Sequence, residues 1–138
     1  MALQRSALPT VYSTSEEEYQ AVTTKAALHD ASYMGRLKVI GDDGLDLLNR
    51  LSTNKVIGLT AGQGAPTILT TDRGRILDLI GVVNVDEYIL LITSPGAQQR
   101  VIDFLDKYTI MEDLTVENIT EQSTMFSVLG PTSQAAVE

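Results

Sequence analysis

Apolar residues recur along this chain with two different periods, and the switches between periods mark its elements. From Ser13 to about Leu28, Tyr19, Val22 and Ala26 recur at helical spacing behind the acidic start Ser15-Glu16-Glu17-Glu18. Ser15 with Glu18 fits a capping box, and carboxylates in a first turn suit the positive end of a helix. Tyr33 to Ile40 alternates as a strand does, with Leu37 and Val39 on one face and Lys38 on the other. Gly41-Asp42-Asp43-Gly44 breaks that strand and opens a second helix, with Leu45, Leu48 and Leu51 as its apolar stripe.

Ser52 to Gly64 is rich in turn residues and reads as a connection. Three strands are expected near 65–71, 75–84 and 88–93, joined by turns at Asp72-Arg73-Gly74 and Asp86-Glu87. Ser94-Pro95 is expected to start a third helix, with Ser as cap and Pro at the first helical position. Val101, Ile102 and Leu105 would be its buried face. Two more short strands are expected between Thr115 and Leu129, around Glu121-Gln122-Ser123, and Gly130-Pro131 should begin a new element. Residues 1–12 read as an irregular lead-in. Hairpins interleaved with about three helices give an α+β fold, a mostly antiparallel sheet covered on one face, with residues 1–138 in a single domain.

Charge and composition narrow the chemistry. A net charge of −8 argues against a polyanion partner, because nucleic-acid binding rests on a surplus of Lys and Arg at phosphates. The absence of Trp removes the best residue for a base-stacking platform. With no Cys, the chain offers no disulfide, no thiol nucleophile and no thiolate ligand for zinc or iron–sulfur clusters. His29 is the only histidine, so an imidazole-rich metal site is excluded and no metal is expected. No apolar run approaches the ~18 residues of a spanning helix, and residues 1–14 lack a secretory apolar region, so the expected location is cytoplasmic. Gly62-Gln63-Gly64 has Thr67 where a dinucleotide fingerprint needs its third glycine. Asp42, Asp43 and Asp46 are better read as acids at a helix start than as a calcium loop.

Asp78 is the most pointed candidate. In Arg75-Ile76-Leu77-Asp78-Leu79-Ile80-Gly81-Val82-Val83, alternation sets Ile76, Asp78, Ile80 and Val82 on one face and Leu77, Leu79 and Val83 on the other. A carboxylate flanked by Ile on a half-buried face costs free energy unless it is paired or solvated. Either it lines a ligand pocket and accepts hydrogen bonds from a polar heterocycle, or it faces solvent or pairs with Arg73 or Arg75 across the turn. Thr93-Ser94-Pro95-Gly96 ends a strand and starts a helix, so its backbone N–H groups can hold a carboxylate or simply cap the helix. His29 beside Asp30 makes no triad, since adjacent side chains point apart; a surface residue at a helix C-terminus is the plainer reading.

Three segments, taken in order, resemble a known family. They are His29-Asp30-Ala31-Ser32-Tyr33-Met34-Gly35, Thr71-Asp72-Arg73-Gly74-Arg75-Ile76-Leu77-Asp78-Leu79 and Val128-Leu129-Gly130-Pro131. The family is the glycine cleavage system T-protein (aminomethyltransferase) and its folate-binding paralogues. T-proteins carry Gly-Gly-Ile-Ile/Leu-Asp-Asp-Leu at the hairpin, and their second Asp engages the folate. Aligned on Gly74 and Ile76, the first family Asp falls on Asp78 and the second on Leu79. A one-residue slip turns Asp78 to the opposite face, so it does not replace the missing acid unless a bulge re-aims the strand. Arg75 in place of the second glycine is more like the Gly-Arg turn of the paralogues linked to iron–sulfur cluster maturation. Tyr33 stands where the family motif Asp-x-Ser-His-Met-Gly has His, and Thr93 and Gly96 replace two family asparagines.

Known members are considerably longer, so the resemblance implies the N-terminal part of a folate-binding module. It also implies one-carbon transfer to tetrahydrofolate, with reduced folate as cofactor and the lipoyl-carrying H-protein as partner. Asp78, Arg75, Met34 and Thr93 would be cofactor-binding, Met34 packing its thioether on a flat ring, and no catalytic group is assigned. The alternative is a non-catalytic folate-binding protein of the iron–sulfur maturation type; an acidic scaffold with no ligand is a third reading. An uncovered apolar sheet face or edge would lead the 138-residue chain to self-associate.

Overall fold

A computed structural model describes residues 9–138. The lead-in expected over residues 1–12 lies, for residues 1–8, outside the described residues, and Pro9 to Thr14 forms no helix or strand. The chain divides into two compact units, Ser32–Met125 and a smaller one in which residues up to Ala31 join Phe126–Glu138. Helices and antiparallel sheets together make the expected α+β fold, with four α-helices among the described residues.

The larger unit is built on a five-stranded sheet. In chain order its strands are β2 (Gly35–Ile40), β3 (Gly64–Thr70), β4 (Ile76–Asn84), β5 (Ile89–Thr93) and β6 (Thr115–Asn118), laid side by side as β3-β4-β5-β2-β6. Every neighbouring pair is antiparallel. Alternation fills one face with Leu37, Val39, Leu69, Ile80, Val82 and Leu91, which pack with Leu47 and Leu48 of α2 (Gly44–Leu51) and Val101, Phe104 and Leu105 of α3 (Gln98–Tyr108). Full burial of each such side chain contributes about 1.5–3 kcal/mol. Ile68, Leu90 and Ile92 on the opposite face are only half-buried and Leu79 is exposed.

Both edges of the sheet are guarded. Against β3, Ser52 bridges Leu69, the Thr53 amide donates to the Ile68 carbonyl at 3.0 Å, and Asn54 Nδ2 donates to the Pro66 carbonyl at 2.9 Å. Pro66 has no N–H to offer a further strand. At the other edge β6 is four residues long and carries Glu117, two devices that discourage edge pairing.

The three strands of the hairpin region fall within a residue or two of expectation, whereas the helices differ in detail. The buried stripe of α2 is Gly44, Leu47 and Leu48, with Leu45 and Leu51 only partly covered. Ser94 does not cap α3, which begins at Gln98 after Ala97. The reason is Gly96 at φ 76°, a left-handed conformation that no helix continues through. The Ser52–Gly64 connection is less passive than its composition suggests. Asn49 Oδ1 accepts the Val56 and Ile57 amides and brings Val56 to full burial.

The smaller unit contains α1 (Ser15–Thr24), β1 (Ala27–Asp30), β7 (Phe126–Leu129) and α4 (Ser133–Val137), with β1 antiparallel to β7. The cap of α1 is Thr14 rather than Ser15: its hydroxyl accepts the Glu17 amide at 3.2 Å and donates to Glu17 Oε2 at 3.0 Å. Glu18 turns back to accept the Tyr12 and Ser13 amides. The helix stops at Thr24, short of Leu28, where the Thr23 and Thr24 hydroxyls bond the Gln20 carbonyl and compete with the helical ladder. Residues 27–30, expected to be helical or flanking, therefore form β1, and His29 is an exposed strand residue opposite Ser127 rather than a helix C-terminus.

Candidate functional site

The β3–β4 hairpin closes through Thr71, whose carbonyl accepts the Gly74 amide, whose amide donates to the Arg75 carbonyl, and whose hydroxyl accepts the Arg75 amide at 3.2 Å. Gly74 sits at φ 70°, which explains a glycine at that turn position. Just past the turn, Thr70 pairs with Ile76 and Leu69 with Asp78, so Leu77 is the extra residue of a β-bulge. Ile76, before the bulge, is 70% exposed and does not share the buried face expected for it. From Asp78 onward the alternation holds: Asp78, Ile80 and Val82 point inward and Leu79 outward, 59% exposed.

Asp78 is 5% exposed and extends past the end of β5. Its Oδ2 accepts the Ser94 backbone N–H at 3.0 Å, fastening the turn between β5 and α3. Among the described residues it forms no ion pair with Arg73 or Arg75. Within the same turn the Ala97 amide donates to the Ser94 carbonyl at 3.1 Å, and the Thr93 hydroxyl donates to that carbonyl at 3.1 Å. The Ser94 N–H, one of those expected to receive a ligand, is thus occupied internally, and Pro95 has none.

Thr93, fully buried, pairs in register with Gly35 of β2. A Cβ at Gly35 would overlap the Thr93 hydroxyl and the Gln98 side chain, so β2 needs glycine to approach the start of α3. Met34, the preceding residue, is half-buried. Two of the four expected site residues, Asp78 and Thr93, therefore meet at the Ser94 peptide of the β5–α3 turn, and Met34 is placed near them only as the neighbour of Gly35 in the chain. Arg75 is not among them; it is exposed at the hairpin tip.

Arg36 is the residue that sequence reasoning missed. Its side chain is 3% exposed and its guanidinium uses five donors. Nε donates to Ser123 Oγ at 2.8 Å. Nη1 donates to the Ser32 and Met34 carbonyls at 3.3 and 2.7 Å, and Nη2 to the Thr120 and Ser123 carbonyls at 2.6 and 2.9 Å. The Arg36 backbone adds a reciprocal pair with the Thr120 hydroxyl, which also receives Gln98 Nε2 at 3.5 Å. A short 3₁₀ turn, Thr120–Gln122, presents these acceptors. The planar guanidinium fork thereby ties the Met34 segment to the chain after β6.

Other features of the molecule leave this arrangement undisturbed. A cleft of about 650 Å³ in the smaller unit is lined by Tyr12, Val22, Ala26, Leu28, His29 and Leu129 among others, and by none of the four expected site residues. Among the described residues no cluster of His, Asp and Glu is placed to hold a metal. No described helix is long and apolar enough to cross a membrane.

Sheet order and helix placement define an α+β fold already seen in an enzyme. The crystal structure of the glycine cleavage system aminomethyltransferase T from Bartonella henselae superposes with a TM-score of 0.76 at 22% identity, over 88% of this chain and 33% of that one. Residues 3–138 match the GCVT N-terminal domain, and the chain belongs to that family. An aminomethyltransferase of Halalkalibacterium halodurans is 31% identical over 134 residues, covering 96% of this chain and 36% of its own length. One of Bacillus subtilis is 30% identical over 132 residues, covering 95% and 36%. The chain thus spans about a third of the length of the curated relatives it matches.

Proposed function

We propose that this chain forms the N-terminal part of a tetrahydrofolate-dependent aminomethyltransferase, acting in the cytoplasm, with both compact units belonging to one folate-binding domain. The observation that carries the proposal is likeness to an aminomethyltransferase along 96% of the chain, with 31% identity. The reaction would move a one-carbon aminomethyl group, presented on the lipoyl arm of an H-protein, onto reduced folate with release of ammonia.

In this reading Asp78, Arg75, Met34 and Thr93 border the cofactor. Asp78 and Thr93 act through the β5–α3 turn they hold. Met34 offers a polarizable thioether to a flat ring. Arg75, exposed on a chain of net charge −8, supplies a local cation for an anionic ligand. Leu79, where T-proteins carry their folate-engaging acid, faces outward beside Ile68.

Calorimetric titration of the natural gene product with tetrahydrofolate tests the proposal. Micromolar binding followed by H-protein-dependent ammonia release supports it. Binding without transfer would keep the folate site and remove the enzyme, and no binding by a demonstrably folded product would remove both.

A further inference from the structure

The most exposed large apolar side chains among the described residues are adjacent: Ile110 at 83% and Met111 at 94%. Singly exposed hydrophobics are ordinary and need no explanation. What sets this pair apart is the way the backbone beneath it is held. Glu112 Oε2 accepts the Ile110 and Met111 amides at 2.8 and 3.1 Å, so the tip is folded over its own carboxylate. Glu112 Oε1 accepts Arg50 Nη2 at 2.8 Å, and Arg50 Nε in turn donates to Asp46 of α2 at 3.0 Å. One residue further on, the Asp113 amide donates to Asp43 Oδ2 at 2.7 Å and the Asp43 amide returns a bond to the Asp113 carbonyl at 3.3 Å. Leu114 is then buried in the core.

Such bracing lowers the entropy lost when a tip is immobilised by a partner. The surroundings also specify the partner's charge. Asp42, Asp106 and Asp113 are exposed around this loop and its supports against one exposed cation besides Arg50, Lys107, which lies over the Tyr108 ring, while Arg50 is already engaged by two carboxylates.

We propose that the Ile110-Met111 tip is a protein-docking site, and that its partner is a basic amphipathic helix with an apolar stripe flanked by Lys and Arg. Met adapts its shape to an irregular apolar surface, and the acidic surroundings steer a basic partner toward it while repelling acidic ones. The inference stands on the larger unit alone and is independent of the folate reading.

A fluorescein-labelled amphipathic helical peptide of leucines and lysines serves as the probe, titrated against the natural gene product by anisotropy. Saturable, salt-sensitive binding is expected, weakened about tenfold or more in I110S/M111S, which corresponds to loss of roughly 1.4 kcal/mol or more. Glu112→Gln, which loosens the brace and leaves both apolar side chains in place, should weaken binding by a smaller factor. Since the tip is exposed, the double variant should keep the wild-type thermal midpoint, so lost binding is not lost folding. Equal binding by I110S/M111S, or no saturable binding by the wild type, overturns the proposal. Concentration-dependent dimers that vanish in I110S/M111S would place a second copy on the tip and overturn the basic partner.

Discussion

Replacing Arg36 isolates what holds the Met34–Gly35 segment against the 3₁₀ turn. Truncation to Ala removes five charge-assisted hydrogen bonds and leaves the Ser32, Met34, Thr120 and Ser123 carbonyls without that donor. Each orphaned buried acceptor costs about 1–3 kcal/mol, but the four are not independent and those near Ser123 are only partly buried. A net loss of about 3–5 kcal/mol follows, below the sum of the four because they share one donor and water reaches the outer ones. Against a total stability of about 5–15 kcal/mol this is a large fraction, equivalent to roughly 10–15 °C in Tm for a chain of this size. Arg36→Lys should lose about half as much, because three donors on one nitrogen do not reach acceptors that a planar fork spans. Urea unfolding of wild type, Arg36→Lys and Arg36→Ala measures all three. A loss under about 1 kcal/mol for Ala, or a Lys variant matching wild type, would show that these bonds are replaced by water at little cost.

Four further outcomes are expected. Asp78→Ala should destabilise by about 1.5–3 kcal/mol, whereas Asp78→Asn, which keeps an acceptor for the Ser94 amide, should lose less; equal losses in denaturant titrations would remove the turn-fastening role. Glu112 is held down to about 2 by its bond to Arg50 and by the Ile110 and Met111 amides. A carboxylate depressed in the folded state stabilises above its ordinary range and loses that contribution as the pH falls toward the folded value. The Ile110 and Met111 amide resonances should therefore hold position down to about pH 4 and shift only as the pH approaches 2; a midpoint near 4.5 would contradict the bracing. The 138-residue chain alone should self-associate through the half-exposed face carrying Ile68, Leu79, Leu90 and Ile92, and a strict monomer at high concentration in light scattering would count against this. Finally, Leu79→Asp should strengthen tetrahydrofolate binding by the gene product in calorimetry, and unchanged affinity in a folded variant would sink the assignment of that face.

The strands were legible where information was local. Alternating β-branched runs and an Asp-Arg-Gly turn are self-contained signals, and β3, β4 and β5 appear almost where alternation places them. The start of α3 was misread for an equally local reason: Ser-Pro is a generic cap signal, but Gly96 adopts a positive φ and delays the helix to Gln98. β1 could not be seen, because four residues become a strand only by pairing with β7 far along the chain. Arg36 is the clearest case. An arginine in a strand normally reads as a solvent-facing group, and its burial depends on acceptors 84 and 87 residues away. Gly35 beside it was the available clue, since a glycine inside a strand signals close approach of another segment.

The hairpin shows how far a one-residue difference reaches. A bulge capable of re-aiming Asp78 does occur, but its extra residue is Leu77, so it displaces Ile76 and leaves the order of Asp78 and Leu79 intact. Asp78 keeps its inward face and one oxygen is engaged by the Ser94 amide, an attachment that depends on β4 extending past the end of β5. Position 79 faces outward from the same strand, free of that architectural duty, among half-buried Ile68 and Ile92. The two adjacent positions therefore divide the work: one fixes the turn before α3, the other tunes the polarity of the open face. A carboxylate at 78 does not substitute for one at 79, because the two face opposite sides of the strand: exchanging them would set the acid on the exposed face and leave the Ser94 amide without its acceptor on the buried one. Position 79 can therefore change in polarity without disturbing the Asp78–Ser94 bond that fixes the start of α3.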